Sequence, residues 1–497
     1  MPKTGESLVN ETLNFRRLAP VLLLAAAVLT LTAWLRGAEY DEQYSLFLTA
    51  GTPRPLWPDT PFPAGLAKTL QAGGATLSEI GRDLRVTDVH PPLYFWLLSL
   101  WRAVFGPELF AARLLSVGLA LGALACTGAI ARQVRIPPSR AMLLTLGCYA
   151  FAYTGAIARG FALAQFLLLA GYLCLSSPPR YWRFVLGGLC LGAASFSNYL
   201  AVFVACATLA AAIPRALALR AWTSAIAALV GFCLFLPLDL LWFLAQRGSR
   251  TGQFPPFSAI DSLFRLAARG AGAILGGLPL YVGEPASQIL AAALGLLLLV
   301  TVWRIARGLV WTRDTPLVLA VIATPAGLLL LGALFDNTPI EIRYLAFAMP
   351  FAALLAATTG PRLTGILLTV QAASLAGLML APQTMQPARA AAWAAASLAG
   401  EGIVLLPRGN DGVGVVGAFA IESPPDPRLL LIRPGETPSA IRARAAPHRR
   451  VVLALLEQDD ASRAAATAMR QAFDDPGWRE VARRPHLAVY ERIGDGG

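Results

Sequence analysis

The sequence predicts an all-α polytopic membrane protein of about eleven transmembrane helices, with a small α/β domain outside the membrane at the carboxyl end. Three observations predict it. Hydrophobic residues make up 56% of the 497-residue chain and charged residues only 14%, where a soluble domain carries about a quarter charged. Apolar segments recur up to Ala381, broken by short turns bearing Arg and Pro. After Ala381 the apolar runs stop and charges become frequent. This excludes a disordered chain, a collagen or coiled coil, and an ordinary cytosolic enzyme. The net charge of +12 is almost all arginine, since Lys3 and Lys68 are the only lysines. In a soluble protein such an excess would raise nucleic acid as a partner; here it reports topology, and no nucleic-acid partner is expected.

The first element is the apolar run Leu18–Leu35, preceded by Lys3, Arg16 and Arg17. It is long enough to span and is followed by Trp34, Leu35 and Arg36 rather than a small-residue cleavage site. It therefore reads as an uncleaved anchor with the amino terminus inside. Further spans are expected near Leu109–Ala131, Ala141–Ala156, Phe161–Leu175, Phe184–Phe196, Leu200–Ile213, Ala221–Leu244, Ala286–Trp303, Pro316–Phe335, Leu345–Thr358 and Leu363–Leu380. The turns between them sort by charge. Arg132, Arg135 and Arg140; Arg180 and Arg183; Arg215 and Arg220; Arg304, Arg307 and Arg313; and Arg362 form a basic set, which the positive-inside rule places in the cytoplasm. The alternate set holds Arg159, Asn198, and the stretches Gln246–Glu284 and Asp336–Arg343. The carboxyl end is then outside, and the plasma (inner) membrane of the cell envelope is the expected location.

The apolar stretch from His90 to Phe105 would invert every later loop if it spanned, so it is expected at the outer interface or re-entrant. Residues 37–108 then form one long external loop with amphipathic helices, within a membrane domain of residues 1–382. In the remaining domain, residues 383–497, Gly402–Leu406, Leu429–Ile432, Val451–Leu456 and His486–Arg492 read as strands. Arg389–Leu398 and Ala461–Phe473 read as helices. The six cysteines all fall in apolar stretches without a CxxC pair and are expected to be small buried hydrophobes.

Four features bear on chemistry. Glu39-Tyr40-Asp41-Glu42-Gln43-Tyr44 follows the first span; paired carboxylates there can supply a general base, though a solvated loop start is the plainer reading. His90-Pro91-Pro92 places a histidine at a helix start, where anions bind; the plainer reading is a turn residue. Arg159 and Arg343, with Tyr344, run against the positive-inside trend and suggest an anionic partner, or else snorkel to headgroups. Asp239 lies near the outer end of its span, where an ionisable group is costly enough to suggest function. Gly412-Val413-Gly414-Val415-Val416-Gly417 matches GxGxxG, but Pro407–Asp411 separate it from the strand before, so a flexible glycine loop is expected. No zinc-spaced cluster, Walker A, HExxH or GxSxG motif occurs.

The acidic pair, the external loop and the segment "HPPLYFWLLSLWRAVFGPELFAARLLSVGLALG" resemble the GT-C glycosyltransferases, nearest the protein O-mannosyltransferase-like and aminoarabinose-transferase-like groups. "IARGFALAQFLLLAGY" and "IEIRYLAFAMPFAALLAA" are similar to later blocks of that family, and the likeness covers Leu18 to about Ala381. The resemblance implies transfer of a sugar from a polyprenyl-phosphate donor to an acceptor hydroxyl on the extracytoplasmic side, metal-independent or with a divalent metal in a minor role. It implies Asp41 as catalytic base, Glu42 as the paired acid that positions it, and His90, Arg159, Arg343 and Tyr344 as contacts to the donor phosphate. The acceptor, whether lipid, polysaccharide or protein, stays open. The competing readings are a flippase or transporter for lipids or lipid-linked sugars, which predicts charges along a path through the bundle, and a membrane scaffold.

Overall fold

The structure is a computed structural model that describes residues 15–246 and 254–493. Lys3 and the side chains of Arg16 and Arg17 lie outside the described residues.

Among the described residues seven helices are long and apolar enough to cross a membrane: Leu18–Leu35, Leu109–Gln133, Ala201–Ala218, Trp222–Ala245, Ala286–Gly308, Trp311–Phe335 and Pro361–Leu380. The other four expected positions hold shorter or interrupted helices. Phe161–Ser176 has 16 residues and Tyr181–Ser195 has 15, about 24 Å or less at the α-helical rise. Residues 138–155 break at Cys148 into Pro138–Gly147 and Tyr149–Gly155. Ile342–Ala348 is a 3-10 turn leading into Met349–Ala356. Hydropathy alone does not register these breaks, because the residues on both sides of each are equally apolar.

The lipid-facing character is plain in Ala286–Gly308, where only Leu294 and Thr301 are buried. A helix apolar all round with so little covered surface suits a bilayer and not water. Helix contacts inside the bundle depend on small residues. On Tyr181–Ser195, Gly188 meets the backbone of Ala228, and Gly231 on the facing helix meets the Leu189 amide, 2.9 Å from where a Cβ would stand. All six cysteines are free; Cys148 is buried, but Cys206 and Cys233 are exposed on helix faces, so the expectation of burial fails for those two. Asp314, the acid of a basic turn, pairs with Arg313 at 2.6 Å.

Residues 37–108, between the first two spans, form the helices Tyr40–Thr49, Leu66–Gln71, Leu77–Thr87 and Leu93–Phe105. Thr76 starts the third as a capping box, its hydroxyl accepting from the Glu79 amide at 3.3 Å while Glu79 accepts from the Thr76 amide at 2.8 Å. Ile80 and Leu84 on that helix, and Tyr94, Phe95 and Leu98 on the next, form one core beneath the loop. Leu93–Phe105 is 13 residues long, too short to span. Trp242 and Gln246 from the membrane helix tie the loop down, donating to Gly81 O at 3.1 Å and to Leu84 O and His90 O at 2.9 and 2.8 Å.

The carboxyl-terminal sheet has six strands, β1 Phe62–Pro63, β2 Ile403–Pro407, β3 Arg428–Ile432, β4 Arg450–Ala454, β5 Trp478–Arg484 and β6 Leu487–Arg492, in the order β1-β3-β2-β4-β6-β5. β3, β2 and β4 run parallel and the outer pairs antiparallel. Alternation along β2 sends Val404 and Leu406 to one core and Ile403 and Leu405 to the other. The first core also contains Phe47, Trp57 and Phe62 of the external loop. The boundary at residue 383 is therefore one of sequence and not of packing, since the loop contributes an edge strand and a share of the core. The expected glycine loop is instead the helix Gly414–Glu422, between β2 and β3. Gly417 lets it lie against Phe47, which would stand 2.8 Å from a Cβ. Its amino terminus is covered by Asp411, which accepts from the Val413 amide at 2.9 Å and pairs with Arg54.

Candidate active site

The site is built on the helix Tyr40–Thr49, with four residues between it and the end of the first span. Glu42, three residues after the cap position Glu39, accepts from the Glu39 amide at 2.9 Å, which locks the first turn. Arg102 closes the other end, donating to Leu46 O and Thr49 Oγ1 at 3.0 and 2.5 Å. The helix is thereby held at both ends, and its first turn presents three acids in different environments.

Glu42 is fully buried. Arg113 donates to it twice, at 2.8 and 2.6 Å, and the Ala158 amide once, at 2.8 Å. With the Glu39 amide, its acceptor capacity is filled. Burial alone would raise its pKa, but Arg113 and these amides outweigh that and hold it low. Arg113 in turn donates to Ala33 O, Arg36 O and Gly37 O at 2.7 to 2.9 Å. Glu42 therefore holds together the turn that carries Asp41, and it has no lone pair left for a further donor.

Glu39 pairs with Arg36 at 2.9 Å and accepts from Tyr153 OH at 2.6 Å. Here burial prevails and its pKa is raised. Asp41 pairs with Arg343. At 23% side-chain exposure it is the accessible acid, against 8% for Glu39, 0% for Glu42 and 7% for Asp88. Burial pushes its pKa up, and Arg343 and Arg159 pull it further down, leaving it below the usual carboxylate range.

Behind it, Arg159 donates to Asp88 Oδ2 at 2.9 Å, and His90 Nδ1 lies 2.9 Å from Asp88 Oδ1 and 3.1 Å from Arg159 Nη2. Asp88 is strongly depressed; the effect of burial is outweighed by Arg159 and His90. Burial and Arg159 lower the His90 pKa, so its ring is neutral near pH 7. His90 thus offers a hydrogen bond, and the fixed positive charge beside it is Arg159.

The site thus contains four arginines, each matched to one acid: Arg36 to Glu39, Arg113 to Glu42, Arg159 to Asp88, and Arg343 to Asp41. Of the four pairs only the last is partly open to solvent. Each of these carboxylates faces a guanidinium, and among the described residues no group of three or more His, Cys, Asp or Glu converges.

Tyr344 follows Arg343 and carries its guanidinium 5.4 Å from the ring centre. Tyr344 and His90 both open onto a cavity of about 830 Å³, otherwise lined chiefly by apolar residues of Ala201–Ala218, Leu236–Ala245 and Trp311–Phe335. Asp239 lines it too, bonded to Ser195 Oγ at 2.5 Å. The structure therefore gathers Asp41, His90, Arg159, Arg343 and Tyr344 around one polar site, places Glu42 behind it, and sets Asp239 in the adjoining cavity. Asp88, Arg36 and Arg113 have no assigned role in the sequence reading. The rule that selects Arg159 and Arg343, an arginine at an outer helix end, also selects Arg36 and Arg113; Asp88 has only its place two residues before His90 as a signal.

No protein-family model and no curated protein matches the sequence. Among solved structures the chain is similar to ArnT from Cupriavidus metallidurans bound to undecaprenyl phosphate. The TM-score is 0.50 at 12% identity, over 97% of this chain and 99% of that one. The apo state of the same protein gives a TM-score of 0.50 at 11% identity, over 96% and 98%. The likeness shows that the two chains share a fold from end to end, membrane helices and carboxyl-terminal domain together.

Proposed function

We propose that the protein is a membrane glycosyltransferase that moves a sugar from a polyprenyl-phosphate donor to an acceptor hydroxyl at the extracytoplasmic face of the inner membrane. The observation that carries this reading is the Asp41–Arg343 pair, the one partly open ion pair of the site, set beside an apolar cavity. A shared fold with a protein whose crystals hold undecaprenyl phosphate supports it. So does the chemistry: a lipid-borne leaving group needs a site at the membrane surface, an apolar space for its chain, a cation for its phosphate and a base for the acceptor.

In this reading the donor phosphate takes Arg343 away from Asp41, with Tyr344 beside it as a hydroxyl donor. Asp41, freed of its partner, accepts the proton of the acceptor hydroxyl. The acceptor oxygen bonds to the anomeric carbon as the carbon–oxygen bond to phosphate breaks, and polyprenyl phosphate leaves with its charge held by Arg343. Arg159 adds a second positive field, and His90 a neutral hydrogen-bonding group. The resting pairing prevents the base from acting before a donor is bound.

The test is reconstitution into liposomes with a panel of radiolabelled undecaprenyl-phosphate sugars, with envelope lipids as acceptors. Release of label from one donor to a chloroform- or water-soluble acceptor is expected. Movement of an intact donor across the bilayer with no release would favour a flippase instead.

A further inference from the structure

The apolar cavity contains three polar atoms that the mechanism above does not use. Asp239 Oδ1, Asn198 Nδ2 and Asn337 Oδ1 are buried, belong to residues that line this one cavity, and make no hydrogen bond among the described residues. Asp239 is 9% exposed and Asn198 3%. Asp239 and Asn198 are otherwise fixed in place: Asp239 Oδ2 bonds Ser195, and Asn198 Oδ1 accepts from the Leu200 amide at 3.1 Å. Leaving such atoms unpaired is costly, and at membrane depth an unneeded carboxylate is costlier still.

The chemistry of the three atoms selects among ligands. Asn198 Nδ2 offers hydrogens, while Asp239 Oδ1 and Asn337 Oδ1 accept them. A prenyl chain satisfies none of the three. A phosphate brings acceptors only and would be repelled by Asp239. A protonated amine brings donors only and leaves Asn198 unmet. A ring with adjacent hydroxyls both donates and accepts, and it meets all three.

We propose that Asp239, Asn198 and Asn337 form the subsite that binds the hydroxyl groups of the donor sugar, so that these residues set sugar specificity. This rests on the glycosyltransferase reading. The cavity joins the two sites through its walls, since His90 and Tyr344 line it as well. The sugar then lies between the phosphate held at Arg343 and the hydroxyl-binding atoms, with the prenyl chain against the remaining apolar wall.

The test measures equilibrium binding of undecaprenyl phosphate, and of undecaprenyl-phosphoryl glucose, mannose and arabinose, to the full chain in nanodiscs. Wild type is compared with Asp239→Leu and Asn198→Ala, alongside thermal unfolding midpoints. Wild type is expected to bind one sugar-bearing lipid better than the bare phosphate. Each variant should lose about tenfold or more of that preference, the worth of one hydrogen bond to a charged or well-placed polar group, while keeping wild-type affinity for undecaprenyl phosphate. Asp239→Leu is expected to fold, because Ser195 still has the Gly192 carbonyl at 2.8 Å, and to melt at or above the wild-type temperature, an outcome a purely structural carboxylate would reverse. Unchanged preference among the lipids in both variants overturns the sugar subsite while leaving the transferase reading intact. Failure of wild type to bind any of the four lipids counts against the transferase reading itself.

Discussion

Replacing Arg113 probes the division of labour among the acids. Its guanidinium spends all five N–H groups on five acceptors, two on Glu42 and three on the carbonyls of Ala33, Arg36 and Gly37. Side-chain exposure is 1% for Arg113 and 0% for Glu42. Arg113→Met therefore strands a buried carboxylate and frees the carbonyls that end the first span. A broken buried pair of this kind costs about 3–5 kcal/mol, a large part of a typical total of about 5–15 kcal/mol. Arg113→Lys keeps the charge but not the planar fork and should fall between. The double variant Arg113→Met/Glu42→Gln removes both charges and should recover part of the loss, because no unpaired ion remains. Thermal unfolding in detergent micelles, with the monodisperse fraction, reads all four proteins. Wild-type stability of Arg113→Met would refute the reasoning. So would a Glu42→Gln protein of wild-type stability that has lost transfer, since that would move Glu42 from the framework into the chemistry.

Other outcomes follow from the same geometry. Arg343→Ala should weaken donor binding by about ten- to a hundredfold, the worth of a charge-assisted hydrogen bond to phosphate, and Arg343→Lys by less, read by the same nanodisc binding. The base must be ionised to act, and the Asp41 pKa is lowered. The acid limb of kcat/KM, which titrates the donor-free enzyme with Arg343 still on Asp41, should therefore lie below the ordinary aspartate value of about 3.9. Arg343→Ala removes the strongest influence holding it down and should move that limb to higher pH. An unmoved limb would show that Asp41 is not the titrating base. Gly188→Leu should separate the helices Tyr181–Ser195 and Trp222–Cys233, because its side chain would meet the Ala228 backbone, which cannot step aside as a flexible side chain can. Loss of monodisperse protein checks it, and wild-type yield would contradict the packing described.

Much of the fold was legible because bilayer physics is written in composition. Long apolar runs and arginine-bearing turns mark helices such as Leu109–Gln133 and Trp311–Phe335. The break at Cys148 and the 3-10 turn Ile342–Ala348 were not legible, because tertiary packing bends segments whose residues are all apolar. In the carboxyl-terminal domain the inner strands showed themselves by buried, β-branched and leucine-rich runs. β5 did not, since five of the seven residues from Trp478 to Arg484 are exposed and four are charged. β1 is two residues long and pairs with a strand more than 360 positions away, as Phe62 faces Leu429. In the site, Asp41 and Arg343 could be singled out from their places beside the membrane, 302 positions apart, but their pairing could not. Glu42 and Asp41 look alike in sequence; what separates them is Arg113, which reaches one and not the other.

The central claim is that Asp41, and not its buried neighbours, is the base. Single-turnover transfer by Asp41→Asn in nanodiscs, measured beside donor affinity, tests it most directly. Transfer should fall by about 10²–10⁴-fold, the usual worth of general-base catalysis. Donor affinity should hold or rise, because Arg343 no longer has a carboxylate to leave. Transfer within a few-fold of wild type, with donor bound, would contradict the assignment.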